Sequence, residues 1–179
     1  MATIKRSWLA SALAAVTLGA GTVVGAAPVA AAPACPANVN TRLAPGATAM
    51  ALRDSCSQAQ FDRLFRTAEA GPIPLGVMRG QTRPVGPPND AASSAASAIW
   101  AGKTLHRGWL TNRAFGGEIL PADVFYARSV IDGRRVIRID YRRSGMPFAH
   151  DELRRLPNGV YLGYGFVGGS KSVDFWLWR

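Results

Sequence analysis

Six side chains have the types and spacing to hold a small molecule: Trp100, Lys103, Tyr126, Arg128, Tyr141 and Tyr164. Three of them lie in one hairpin-like stretch, where ADVFYARSV and RRVIRIDY flank Asp132-Gly133. An Asp-Gly pair between two β runs favours a type I′ turn. With those two as the loop, Ile131 pairs with Arg134, Ser129 with Val136, and Tyr126 with Ile139. Alternation then puts Val124, Tyr126, Arg128, Val130, Arg135, Ile137, Ile139 and Tyr141 on the more apolar face, which should turn inward. Arg128 would sit there with Ile137 opposite, and a buried guanidinium costs several kcal/mol unless it is paired. Asp151, Glu152 or an acidic ligand are its candidate partners. An internal salt bridge, or a side chain reaching out to the barrel mouth, would satisfy it equally well. As a recognition group, arginine grips a carboxylate through two parallel hydrogen bonds, and Tyr126 and Tyr141 would add hydroxyl donors. Lys103 is either a salt-bridge donor to Glu152 or Asp140 or a ligand contact. Trp100 is of the type that lines either a core or a cavity.

Catalytic alternatives are less sharply drawn. A Ser-His-Asp set can be assembled from Ser129 or Ser144, His150, and Asp132 or Asp140. A hydrolase or isomerase could also use His150, Asp151 and Glu152 in the polar stretch MPFAHDELRR. There is no GxSxG elbow, HExxH, P-loop or GxGxxG after a strand, so no cofactor is expected. With two histidines and no CxxC, no metal site is expected either.

These groups need a scaffold, and the pattern supplies one. Phe61, Leu64, Phe65 and Ala68 recur at helical spacing. Ser57 with Gln60 reads as a capping box before them, and Gly71-Pro72 as the stop. A Gly/Pro-rich stretch follows with one short strand near Val77–Arg79, and Asp90 opens a second, short Ala/Ser helix, DAASSAASAIW. From Lys103 onward the candidate strands are KTLHRGWLTN, ADVFYARSV, RRVIRIDY, GVYLGYGFV and SVDFWLWR, separated by AFGG, Asp132-Gly133, a polar loop at 142–157, and GGSK. In GVYLGYGFV the inward set would be Val160, Leu162, Tyr164 and Phe166. Gly163 and Gly165 would then face out beneath the first helix. The fold class is α+β, mainly β. It is an antiparallel meander or partly open β-barrel of about 5–7 strands, with one amphipathic N-terminal helix and a short second one. Asp151 and Glu152 would stand near its mouth.

The first residues read as a cleavable secretory signal, 1–31. Lys5 and Arg6 precede an uncharged apolar run, and Val29 and Ala31 suit the positions before a cut. Cleavage removes two of the 21 basic residues and lowers the net charge from +10 to +8. It also leaves no integral membrane segment. Arginines scattered along the chain, without interleaved aromatics, argue against a nucleic-acid partner. Cys35 and Cys56 should pair in an exported chain, tying residues 32–56 as an arm to a single domain at 57–179. Closing that loop is worth about 3 kcal/mol.

An ordered series of motifs runs through the chain: Gly71-Pro72-Ile73-Pro74 with Gly76 and Gly80, Trp100-Ala101-Gly102-Lys103, Asn112-Arg113, Ser129-Val130-Ile131-Asp132-Gly133-Arg134, Asp140-Tyr141, Asp151-Glu152-Leu153-Arg154 and Pro157-Asn158-Gly159-Val160-Tyr161-Leu162-Gly163. The series resembles exported bacterial, especially actinobacterial, domains of unknown function over residues 60–179. The meander also resembles lipocalin-type barrels, although the usual GxW near the first strand is absent and the helix precedes the strands. That likeness implies a cavity for an apolar ligand. The expected function is therefore secreted binding of a small apolar or amphipathic, lipid-like molecule, with or without an acid group. The alternatives are the hydrolase or isomerase above and a structural cell-envelope protein with a filled core.

Overall fold

The computed structural model describes residues 33–86 and 98–179. The signal segment and most of DAASSAASAIW lie outside the described residues. Two helices come first, α1 (Pro45–Asp54) and α2 (Gln58–Thr67). Pro45 starts α1 at a position where a missing N–H costs nothing. This helix falls inside what the sequence suggested was a plain arm. At α2 the Ser57 hydroxyl accepts from Gln60 N–H while the Gln60 side chain accepts from Ser57 N–H, the reciprocal cap its sequence predicts.

Eight antiparallel strands follow in chain order: β1 (Gly76–Pro84), β2 (Trp100–Leu105), β3 (Trp109–Ala114), β4 (Gly117–Arg128), β5 (Arg135–Asp140), β6 (Ala149–Arg155), β7 (Tyr161–Val167) and β8 (Ser170–Trp178). Each pairs with the next, and β8 pairs back onto β1 from Arg79↔Trp178 to Pro84↔Val173. The barrel is thus closed with eight strands, where 5–7 and a partial opening were expected. Two segments account for the difference. KTLHRGWLTN is not one strand but two, with Lys103 opposite Asn112. The supposed polar loop at 142–157 holds a 3₁₀ turn (Tyr141–Ser144) and the whole of β6. Closure also needs sharp curl. At the register shift between Trp100 and Gly102, Gly102 takes φ +124°, and a Cβ there would fall 2.1 Å from Met78 O. Only glycine lets β1 and β2 approach at that bulge.

Two apolar clusters result. One fills the barrel, with Met78, Leu105, Leu110, Val124, Ile137, Ile139, Phe175 and Leu177 among its members. The other lies between the outer wall and the helices, where Phe61, Leu64 and Phe65 pack on Val160, Leu162, Tyr164, Phe166 and Trp176. This reverses the expectation for β7. Val160, Leu162, Tyr164 and Phe166 face out under α2, and Gly163 and Gly165 face in. The interior is already occupied there: a Cβ on Gly163 would lie 2.3 Å from Phe175 Cζ.

The β4–β5 hairpin keeps its expected faces with a different register. Tyr126 pairs with Ile137 and Arg128 with Arg135, a shift of two residues. An even shift leaves every side chain on its side, so Val124, Ile137 and Ile139 do point inward. The turn is wider than two residues because its polar groups have other partners. Glu152, fully buried, accepts from Ser129 Oγ at 2.6 Å, Val130 N at 2.9 Å and Arg138 Nη2 at 2.7 Å. Asp132 takes both terminal nitrogens of buried Arg154, at 2.6 and 2.8 Å.

Cys35 and Cys56 form a disulfide, closing the segment that contains α1. Arg83 of β1 passes beneath it and donates to the Leu52 and Cys56 carbonyls. Its ion pair with Asp174 is single and long, at 3.3 Å, and Arg83 Nη2 and Asp174 Oδ1 find no hydrogen-bond partner among the described residues. Burial therefore outweighs Arg83 and raises the Asp174 pKa from 3.8 to about 6. A folded-state pKa above the unfolded one favours the fold when the acid is protonated. This contribution is complete below pH 3.8 and disappears as pH rises through about 6, a change of up to about 3 kcal/mol. Relative to Asp174→Asn, the wild type should lose stability between pH 4 and pH 7. Parallel urea denaturation series that keep a constant gap would refute this.

Candidate functional site

At the end of the barrel where β2 begins and β3 turns into β4, the interior is open. A chamber of about 180 Å³ is bounded by Trp100, Lys103, Asn112, Tyr141, Asp151 and Phe175. It adjoins a mouth of about 380 Å³ whose walls include Ile99, Leu120, Met146, Ala149, Gly165 and Val173. Between them stands a buried polar cluster in an otherwise apolar barrel. Lys103 comes from β2, Asn112 from the facing position of β3, and Tyr141 from the 3₁₀ turn closing β5. Asp151 comes from the inward face of β6.

The cluster is tightly bonded. Lys103 Nζ donates to Asn112 Oδ1 at 2.7 Å, Tyr141 Oη at 2.7 Å and Asp151 Oδ2 at 2.9 Å. Tyr141 Oη donates to Asp151 Oδ2 at 2.7 Å. Asn112 Nδ2 reaches Tyr141 Oη and the Leu120 carbonyl, and Trp100 Nε1 donates to Asn112 Oδ1 at 3.0 Å. The rings of Trp100, Tyr141 and Phe175 surround the ammonium at 5.1–5.4 Å. Burial pulls the Lys103 pKa below the ordinary lysine value, against the opposing pull of Asp151. Burial, and then the Asp151 charge, push the Tyr141 hydroxyl well above the ordinary tyrosine value. At neutral pH the phenol keeps its proton.

Backbone strain collects at the same mouth. Phe115 and Leu120 are the non-glycine residues with positive φ among the described residues, at 52° and 49°. Phe115 and Gly116 form the two-residue β3–β4 turn, a site that suits Asn-Gly far better. Phe115 there stands exposed at the rim, beside exposed Ile99, Leu120 and Val167.

Of the six residues singled out from sequence, Trp100, Lys103 and Tyr141 meet in this site. The other three do not. Tyr126 is at the opposite end, where its hydroxyl donates to Gly71 O. Arg128 is exposed beyond the barrel interior and bonds Gly133 O. Tyr164 lies outside, under α2, donating to Asp62. Asn112 was missed. Asp151 was expected near the mouth as a partner for Arg128, and Lys103 was expected to pair with Glu152 or Asp140; the structure pairs Lys103 with Asp151 instead. A turn at Gly108 within KTLHRGWLTN would have revealed Asn112, since it places Lys103 and Asn112 opposite each other.

The catalytic sets do not assemble. His150 and Glu152 point outward from β6, and Asp151 points inward. His150 stacks on Phe166, its ring centroid 4.7 Å away, and its Nε2 lies 3.8 Å from Glu152 Oε1, too far for a hydrogen bond. Burial and Arg138 lower its pKa, which keeps the ring neutral. Ser129 donates to Glu152 and Ser144 to Pro121 O, while Asp132 is held by Arg154 and Asp140 caps the 3₁₀ turn.

Fold and site together define a closed eight-stranded up-and-down barrel with helices on its outer wall and a polar cluster inside one end. Among solved structures, a crystal structure of a protein from Thermomonospora curvata, an actinobacterium, has this fold. It aligns with TM-score 0.52 and 20% identity over 74% of this chain and 94% of that one. No protein-family profile and no curated protein matches the chain. No helix among the described residues is long and apolar enough to cross a membrane.

Proposed function

We propose that the protein binds a small apolar or amphipathic molecule in the open end of its barrel. The observation that carries this reading is the buried Lys103–Asp151–Tyr141–Asn112 cluster at the boundary of an apolar-walled cavity. A buried ion pair rarely improves stability over packed hydrocarbon, so its position beside empty space points to use. The exposed apolar rim of Ile99, Phe115, Leu120 and Val167 suits passage of an apolar body. A filled structural core is disfavoured by the open volume. Covalent amine chemistry is disfavoured because all three Lys103 protons are held by acceptors, leaving no lone pair to attack a carbonyl.

The same proposal places the protein outside the cytoplasm, with residues 1–31 removed as a signal. The positively charged start, the uncharged run after it and the Cys35–Cys56 disulfide support this. Intact-mass measurement of secreted protein, which should begin at Ala32, checks it.

Binding is tested with N-phenyl-1-naphthylamine, an uncharged dye that brightens in apolar surroundings. Wild type should bind it saturably near one equivalent. Ala149→Trp, which puts a ring into the mouth, should weaken binding at least tenfold with little change in Tm. Absence of saturable binding to the wild type, or equal binding by the folded variant, would sink the reading.

A further inference from the structure

The hydrogen-bond capacity of the cluster dictates what head group it can receive. Lys103 has three protons to donate, Asn112 two, Tyr141 one and Trp100 one. Every one of these is engaged: Lys103 to Asn112, Tyr141 and Asp151; Asn112 to Tyr141 and Leu120 O; Tyr141 to Asp151; Trp100 to Asn112. The acceptors fill in the same way. Tyr141 Oη receives two bonds, Asn112 Oδ1 two and Asp151 Oδ2 two. What remains is Asp151 Oδ1, which none of these groups contacts.

That oxygen faces the cavity. A Cβ on Gly165 would lie 3.3 Å from it, and Gly165 lines the mouth. Val173 packs over that glycine, its Cγ1 only 2.6 Å from the same Cβ position, so access to the carboxylate comes from the chamber and mouth that Asp151 itself lines. The Asp151 side chain keeps 11% of its exposure where Lys103 keeps 3%. An incoming polar group therefore meets lone pairs, with no donor left to meet it.

We propose that the site selects a neutral hydrogen-bond donor, a hydroxyl on an apolar body, and discriminates against carboxylates. This rests on the binding reading above and replaces its acidic option. A carboxylate would set its own lone pairs against Asp151 Oδ1. An alkylammonium would compete with the Lys103 cation for one carboxylate in a dry site, where like charges repel strongly. An alcohol donates one proton and brings no charge.

The test displaces N-phenyl-1-naphthylamine from the wild-type protein at pH 7.5 with octan-1-ol, octanoate, octylammonium and heptyl methyl ether, which accepts but cannot donate. Octan-1-ol should displace the dye at a concentration at least tenfold lower than octanoate, and several-fold lower than the ether and the ammonium. In Lys103→Met/Asp151→Leu the alcohol and ether should become equivalent. Octanoate equal to or better than the alcohol overturns the proposal while leaving the binding reading intact, as does a wild-type protein that treats alcohol and ether alike. Octylammonium binding tightest overturns the neutral-donor assignment. A dye that never binds removes the binding reading and this inference with it.

Discussion

Asp151→Ala is expected to cost about 3–5 kcal/mol of folding stability, and Lys103→Met/Asp151→Leu to recover most of that loss. The single change leaves the Lys103 ammonium nearly dry, ringed by Trp100, Tyr141 and Phe175, with only the neutral oxygens of Asn112 and Tyr141 to face it. The double change removes both charges, puts hydrocarbon in their place, and leaves Asn112 still bonded to Tyr141 Oη. Its stability should come within about 1 kcal/mol of wild type, since apolar isosteres of a buried pair are often neutral or better. Urea denaturation with the disulfide intact measures both. If the double variant is as unstable as Asp151→Ala, the cluster is a structural device and its presence beside the cavity says nothing of binding. If it is stable but no longer tells an alcohol from an ether, the pair is there for recognition.

How far the sequence revealed this site depends on how each strand is buried. The helix α2 was readable because only one of its faces is covered, so Phe61, Leu64 and Phe65 stand out from polar neighbours. The β4–β5 faces were readable for the same reason, and they survived a register error of two because side chains alternate with period two. In β6 that signal is erased. Its outward Glu152 and Arg154 are buried by the hairpin turn and α2, and its inward Asp151 belongs to the cluster, so AHDELRR carries charge on both faces and resembles a loop. Residue type brought Trp100 and Lys103 forward, since a lysine close to a tryptophan is conspicuous in an arginine-rich chain, and alternation in the hairpin brought Tyr141. Tyr126 and Arg128 were placed on the correct face of β4. They lie past the end of the enclosed interior, a distance along the strand that alternation cannot measure.

Strand β7 is the sharper case, because YLGYGFV is covered on both sides and its alternation of large and small residues fits either orientation. The structure decides by volume. Tyr164 fits outside, 4.2 Å from the Phe65 ring centroid, whereas inside the Phe175 ring fills the place where a side chain on Gly163 would stand. Gly163→Ala is therefore expected to destabilise by about 2–3 kcal/mol, as overpacking does in a dense core. Phe175→Leu alone should cost about 1 kcal/mol or somewhat more. Together they should cost clearly less than their sum, because the shorter side chain gives up the space that the new methyl takes. A coupling of about 1 kcal/mol or more in that cycle establishes that Gly163 faces the barrel interior. Strict additivity would mean that the two positions do not meet, and would return Gly163 to the outer wall beneath α2.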